Sequence, residues 1–474
     1  MNRKTRWILS IPLVLLVVGI ADQAPLRVFN PLHGSERIAM AAPAASFPTK
    51  VEKTTYKGWN AYRLTNGLVA LYVAPDIGGR AIQMQLGDQD YFFVNRDLEG
   101  KVLPAEQNNL QAGWANYGGD KVWPGPEGWA NDAEWRSVPD YILDGSKYDS
   151  EITSNNAGEV AVKVTSPKDP RTGVQFERTY HVYANTTRIK VDQVMRNISK
   201  RSVRWGVWHL IQNDAADAKD PSKPNPELYM YVPLNPQSQH PGGYTVMFGD
   251  VRHPSYKLVD NGRMLKIQYL YRVGKIGADS SAGWFAVVNG QKNIGFVENF
   301  KYFAGMEYPD KASVESWNDG PGTISRGPWD QVLADDIKKT PYFFESEGMS
   351  PYAALEPGEE YSFPIYWSPA RVPNPVHDAT AAGIVSEPLS AQVEGGRVTL
   401  RGTFGVFVPG TLEAGFYSAM GEELGHETLQ AVDPREVVKV EKTLAVPADA
   451  YRVSVRVLDA TGENRGWLGN ALLK

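Results

Sequence analysis

The sequence predicts an all-β protein in two parts, a large antiparallel domain with long decorated loops and a smaller β-sandwich of immunoglobulin-like type. Three observations predict it. Short runs of alternating apolar and polar residues recur along the chain, while long amphipathic helical stretches are almost absent. Turn dipeptides sit between those runs, as at Asn66-Gly67 and Gly87-Asp88. Finally, the composition changes after a Pro-rich stretch near Ser368–Asp378: of thirteen Trp only Trp467 lies beyond Trp367.

The elements follow in order. Residues 1–45 read as a signal or anchor segment with a flexible leader. MNRKTRW is basic, and Ile8–Ala21 is apolar and uncharged, the length of a signal h-region and short of the ~20 residues of a membrane span. This predicts a periplasmic or secreted protein that touches a membrane only through that segment, if it stays uncleaved. From residue 46 to 370 strands are expected. Hairpins join Tyr62–Leu64 to Leu68–Val73 and Ile82–Leu86 to Tyr91–Val94. Further strands are expected at Val160–Val164, Val174–Tyr183, Arg188–Val194, Ser202–Ile211, Gly283–Val288, Ile294–Asn299 and Tyr361–Trp367. The apolar pieces near Asp330–Ile337 suggest a helical turn or two. Residues 376–474 form the small sandwich, with a turn at Gly395-Gly396 and alternation through Tyr451, Val453, Val455 and Val457.

The formal charge is −5, and no basic run appears beyond the N-terminus, so nucleic acid is not an expected partner. The chain has no Cys, which excludes disulfides, thiolate metal sites and a Cys nucleophile. Its seven His are scattered without metal-ligand spacing, and no phosphate-binding or serine-hydrolase motif is present. No cofactor and no transition metal are expected; calcium, which needs no fixed motif, stays open.

The segment GWANYGGDKVWPGPEGWANDAEW, Gly113–Trp135, carries four Trp and a Gly or Pro at almost every bend. That density argues against helix and strand alike and predicts a shaped loop. Large flat side chains beside hydrogen-bonding groups suit a sugar, whose ring is apolar on its face and hydroxylated at its edge. Trp114, Asn116, Lys121, Trp123, Glu127 and Trp129 are the candidate contacts. A loop that merely plugs the end of a sandwich is the alternative.

On the strand around Arg204–Gln212, Trp205, Val207, His209 and Ile211 would share one face and Trp208, Leu210 and Gln212 the other. His209 on a cleft floor could transfer protons near neutral pH; a buried structural His is the bland reading. Glu345 and Glu347 are two apart and share a face, fit for a general base or for holding a sugar diol, or else for a charged edge strand. Arg80 follows the turn Gly78-Gly79 and would meet either a ligand or a neighbouring loop.

Four segments together resemble the galactose mutarotase-like superfamily and, within it, a DUF4380-type bacterial family of unknown function: APDIGGRAIQM at 74–84, WANYGGDKVWPGPEGW at 114–129, NISKRSVRWGVWHLIQ at 197–212 and ESEGMSPYAALEPGEEY at 345–361. The resemblance implies a large β-supersandwich with a carbohydrate cleft on its concave face. In aldose epimerases of that superfamily a Glu takes the anomeric proton while a His protonates the ring oxygen. By position Glu347 (or Glu345) resembles that base and His209 that acid. The sequence departs where epimerases carry Asn before the His, since Trp208 stands there. It departs again where they carry a second His, since the early loop offers Asn116 and Lys121. The departures weigh against epimerisation more than against sugar binding. A carbohydrate ligand is therefore the expected partner, for a binding protein first, an aldose 1-epimerase second, and an accessory to a glycan-cleaving hydrolase or lyase third.

Overall fold

The computed structural model describes residues 46–128, 131–326 and 329–473. The predicted leader and Trp129 lie outside the described residues. The protein is all-β. Strands Lys50–Tyr56 through Gln89–Asp90 form a five-stranded antiparallel meander. An eleven-stranded sheet and a seven-stranded sheet then face one another across the main core. The seven-stranded sheet contains the strands Asp120–Gly125, Val203–Asp214, Gly274–Ala278, Val314–Asn318 and Phe343–Met349. The core between the sheets draws on Val160, Val162, Phe176, Tyr180, Val191, Val207, Ile211, Phe296, Ile365 and Trp367, all at most 1% exposed. Their period-2 spacing on each strand is what lets one side of every strand enter that layer.

Beyond residue 377 two four-stranded sheets share a separate core of Val398, Leu400, Phe404, Leu412, Phe416, Val453, Val455 and Val457. A third cluster joins the two parts: Tyr231, Trp284, Val297 and Val372 meet Val376, Ile384 and Phe407.

Most expected strands and both turns appear in register, including Tyr62 opposite Val73 and Leu86 opposite Gln89. Four expectations change. Asp120–Gly125 is a strand within the expected loop, paired along one side with Gly206–Ile211. It tolerates Pro124 because it lies at a sheet edge, where a missing N–H breaks no ladder. Residues 329–333 form the strand Trp329–Leu333, paired with Gly322–Arg326, in place of a helical turn. Tyr91–Val94 is no full strand: beyond Gln89–Asp90 only Phe92 and Val94 make isolated bridges. Ser368–Arg371 continues the strand Ile365–Arg371 and pairs with Ile294–Val297, so the connection to the second part is shorter than the Pro-rich stretch suggests.

Candidate functional site

The site is built by cross-strand register. Antiparallel neighbours opposite one another put their side chains on the same face. Lys121 stands opposite Leu210, Leu210 opposite Glu347, and Glu347 opposite Glu315. Two residues along, Gln212 stands opposite Glu345, Glu345 opposite Trp317, and Trp317 opposite Lys275. Trp123 stands opposite Trp208. These rows make the outer face of the seven-stranded sheet, turned away from the eleven-stranded sheet. Over part of it opens a cleft of about 910 Å³. Trp114, Asn116, Trp123, Glu127, Trp208, Lys275, Trp317, Asp319 and Glu345 line it, with Ile324, Gln331 and Leu333 from the 322–333 hairpin on its rim.

Gly118 aims the Trp-rich segment at this face. Gly118 has φ +96°, and a Cβ there would lie 2.1 Å from the Phe93 carbonyl oxygen. Only Gly lets the chain turn that close to its neighbour before entering the Asp120–Gly125 strand.

The walls are aromatic. Trp123 lies 4.7 Å from Trp135 and 5.4 Å from Trp208 between ring centroids. The Trp114 indole donates to Asp144 Oδ2 at 2.7 Å. Asp144 is in turn bound to Arg80, whose Nη2 reaches Oδ1 at 2.9 Å. Arg80 also donates to the carbonyls of Ile77 (2.6 Å) and Gly118 (2.8 Å) and is 1% exposed. Arg80 therefore does not reach the cleft as a ligand contact. It clamps the loop that holds Trp114.

The polar groups fall into two sets. In the first, Lys275 Nζ lies 2.9 Å from Glu315, 3.3 Å from Glu347 and 3.6 Å from Glu127. It also sits 4.2 Å from the Trp208 ring centre, and the Trp208 indole donates to Glu347 Oε2 at 2.7 Å. Burial pushes the Glu347 carboxyl up to about 8, against the pull of Lys275 and with help from Glu315 and Glu345. Glu347 is fully buried and absent from the cleft lining. In the second set, Glu345 is 8% exposed, lines the cleft, and accepts from Gln212 Nε2 at 2.8 Å. Burial raises its carboxyl, and burial raises that of Asp319 well above the usual carboxylate range. Lys121 Nζ lies 5.7 Å from the Trp114 ring centre and 6.0 Å from that of Trp123, buried and without a hydrogen-bond partner.

The structure does not bring His209 and Glu347 together. His209 stands opposite Gly348, one residue out of phase with Glu347, and so projects into the layer between the sheets. A Cβ on Gly348 would meet Glu298 Oε1 at 2.5 Å, which places Glu298 on that inner side too. There His209 is fully buried, with Nδ1 3.1 Å from Glu298 and Nε2 3.4 Å from Asp120. Asp120 also binds the Arg178 guanidinium and the Tyr180 hydroxyl, and Glu298 accepts from the Trp367 indole at 3.0 Å. Burial opposes a charge on His209, but Glu298 and Asp120 outweigh it and raise its pKa. This cluster ties the two large sheets together, and none of its residues lines the cleft.

Of the expected site residues, the cleft gathers Trp114, Asn116, Trp123, Glu127 and Glu345 at its surface, with Lys121 just behind. Residues outside the expectation complete it: Trp208, Trp317, Lys275, Asp319 and Gln212. Lys275 had a legible signal, as the one charge in the small apolar strand GKIGA. Among the described residues no group of His, Asp and Glu is placed to hold a metal ion.

A family model described as "Domain of unknown function (DUF4380)" matches residues 60–368. The chain belongs to the DUF4380 family. Among curated proteins none matches the chain. Solved structures that resemble it include a galactose mutarotase-like protein from Clostridium acetobutylicum, at 10% identity and TM-score 0.42, covering 69% of this chain and 99% of that one. A galactose mutarotase related enzyme from Lactobacillus acidophilus resembles it at 11% identity and TM-score 0.39, over 67% of this chain and all of that one. A TPR-domain containing protein from Parabacteroides distasonis does so at 14% identity and TM-score 0.45, over 70% of this chain; the chain spans 52% of that protein. Activity is to be argued from the site itself.

Proposed function

We propose that this protein of the DUF4380 family binds carbohydrate in the cleft on the outer face of its seven-stranded sheet. One observation carries the reading: four Trp (114, 123, 208 and 317) wall a cleft of about 910 Å³ whose lining also includes Asn116, Glu345, Lys275 and Asp319. Indole faces cover the apolar face of a sugar ring, and the charged and amide groups bind its hydroxyls. Export belongs to the same proposal and rests on the N-terminal sequence alone. Titration of intrinsic Trp fluorescence against neutral and acidic mono- and oligosaccharides tests the reading. A saturable change that Trp123→Ala abolishes supports it; an unchanged spectrum across the panel overturns it.

Proton transfer has one specific observation in its favour. Glu345 and Asp319 both line the cleft, and burial holds both carboxyls above their ordinary range, as a general acid requires. If the cleft turns a sugar over, these two act, and Glu347 with His209 does not. Polarimetry on a pure anomer, with Glu345→Gln as control, separates this from binding alone.

A further inference from the structure

We propose that the sugar this cleft receives carries a carboxylate, and that Lys121 is the residue that takes it. The inference rests on the binding reading above and names the ligand class.

The argument starts from two buried lysines on one face of one sheet. Lys275 has three carboxylates within 3.6 Å. Lys121 is 3% exposed and its Nζ has no hydrogen-bond partner. The acids nearest it each have another partner, though their charges still pull on it. Asp120, on its own strand, faces the other side and binds Arg178 and His209. Asp144 binds Arg80 and the Trp114 indole. Glu345 has one oxygen on Gln212. Arg80 adds repulsion. Burial, then Arg80, brings the Lys121 amine down to about 7. Leaving an ammonium desolvated and unpaired costs free energy that an incoming anion would return.

The surroundings select the anion. One amine between two indoles offers a single charge and a narrow slot, which suits a carboxylate. A phosphate dianion calls for several donors or an Arg fork, and the Arg80 fork is spent on Asp144 and backbone carbonyls. Trp114 and Trp123, the two rings beside Nζ, both line the cleft. A sugar ring stacked there turns its carboxylate toward the amine. Trp114 is only partly buried and reaches the cleft. Burial raises the Glu345 and Asp319 carboxyls, which lessens their repulsion of an anionic ligand.

The test is calorimetric titration of the full chain with paired sugars: D-galacturonate and D-galactose, D-glucuronate and D-glucose, and the 6-phosphates of galactose and glucose. Wild type and Lys121→Met are compared near pH 6 and pH 8 in buffers of different ionisation enthalpy. The expected result is a uronate preference of about tenfold or more over the neutral partner, erased in Lys121→Met. Near pH 8 wild type should take up close to one proton per uronate bound, because the anion restores the ammonium. Proton uptake in wild type alone decides the matter if Lys121→Met does not fold. Equal affinity for uronate and neutral sugar, absent uptake, or a 6-phosphate preference overturns the inference and leaves the binding reading standing. No binding by any sugar overturns both.

Discussion

Replacing Lys275 by Met tests the division between a structural carboxylate set and a ligand-facing one. Met keeps the volume and removes the charge, so no large cavity forms. The substitution strips the counter-charge from Glu315 at 2.9 Å, Glu347 at 3.3 Å and Glu127 at 3.6 Å. Breaking a buried ion pair from one side costs about 3–5 kcal/mol. Losing the ammonium over Trp208, 4.2 Å away, adds about 1 kcal/mol. The loss depends on pH in a definite direction. Glu315 and Glu347 already have raised pKa values, Glu347 about 8, and removing Lys275 raises them further. Raised carboxyls are penalised above their unfolded pKa, and the penalty grows with pH until the folded pKa is passed. Guanidinium unfolding of wild type and Lys275→Met near pH 5 and pH 8.5 should therefore give a loss of about 4 kcal/mol at the higher pH and distinctly less at the lower. A loss below about 1 kcal/mol at high pH, or one equal at both, would refute the charge network as drawn.

Four further outcomes follow from the same geometry. Asp120, held at about 2 by Arg178 and His209 against its burial, contributes about 2 kcal/mol that is present above the ordinary carboxylate pKa and lost as pH falls through about 2; Asp120→Asn should flatten that acid limb in a melting series. His209, whose pKa is raised, contributes most below about pH 6.5 and less as pH climbs through its folded value, so the gap in melting temperature between wild type and His209→Gln should narrow toward alkaline pH. Gly348→Ala drives a methyl to within 2.5 Å of Glu298 Oε1, an atom whose side chain is pinned by His209 and Trp367, and should cost about 1–3 kcal/mol in chemical denaturation. Asp144→Ala frees the Trp114 indole and strips the counter-charge from buried Arg80, and should weaken sugar affinity by about tenfold and lower stability by about 3–5 kcal/mol, read by fluorescence titration beside chemical denaturation.

The fold was legible because period 2 is a strong signal: Trp208, Leu210 and Gln212 do share a face, as do Glu345 and Glu347. What period 2 does not say is which face a second sheet covers. Val203–Asp214 is buried on nearly every residue, so both sides look apolar in the sequence. That ambiguity put His209 on the cleft floor in expectation, whereas the cleft side is that of Trp208. Pro124 hid the Asp120–Gly125 strand, because Pro argues against a strand everywhere except at an edge, and edges are set by pairing partners far along the chain. Arg80 was legible as either ligand contact or clamp; only the position of Asp144, sixty-four residues on, decides for the clamp. Trp317 lies in, and Asp319 just after, the strand Val314–Asn318, whose faces could not be read without its neighbour at Glu345.

The most direct measurement is a structure of the protein with a bound sugar, the ligand chosen from the tightest member of the titration panel. The account predicts a sugar ring in contact with Trp123 or Trp208 and polar contacts to Glu345 or Asp319, with His209 untouched behind the sheet. A sugar bound elsewhere on the molecule, or an empty cleft at saturating ligand, would contradict it.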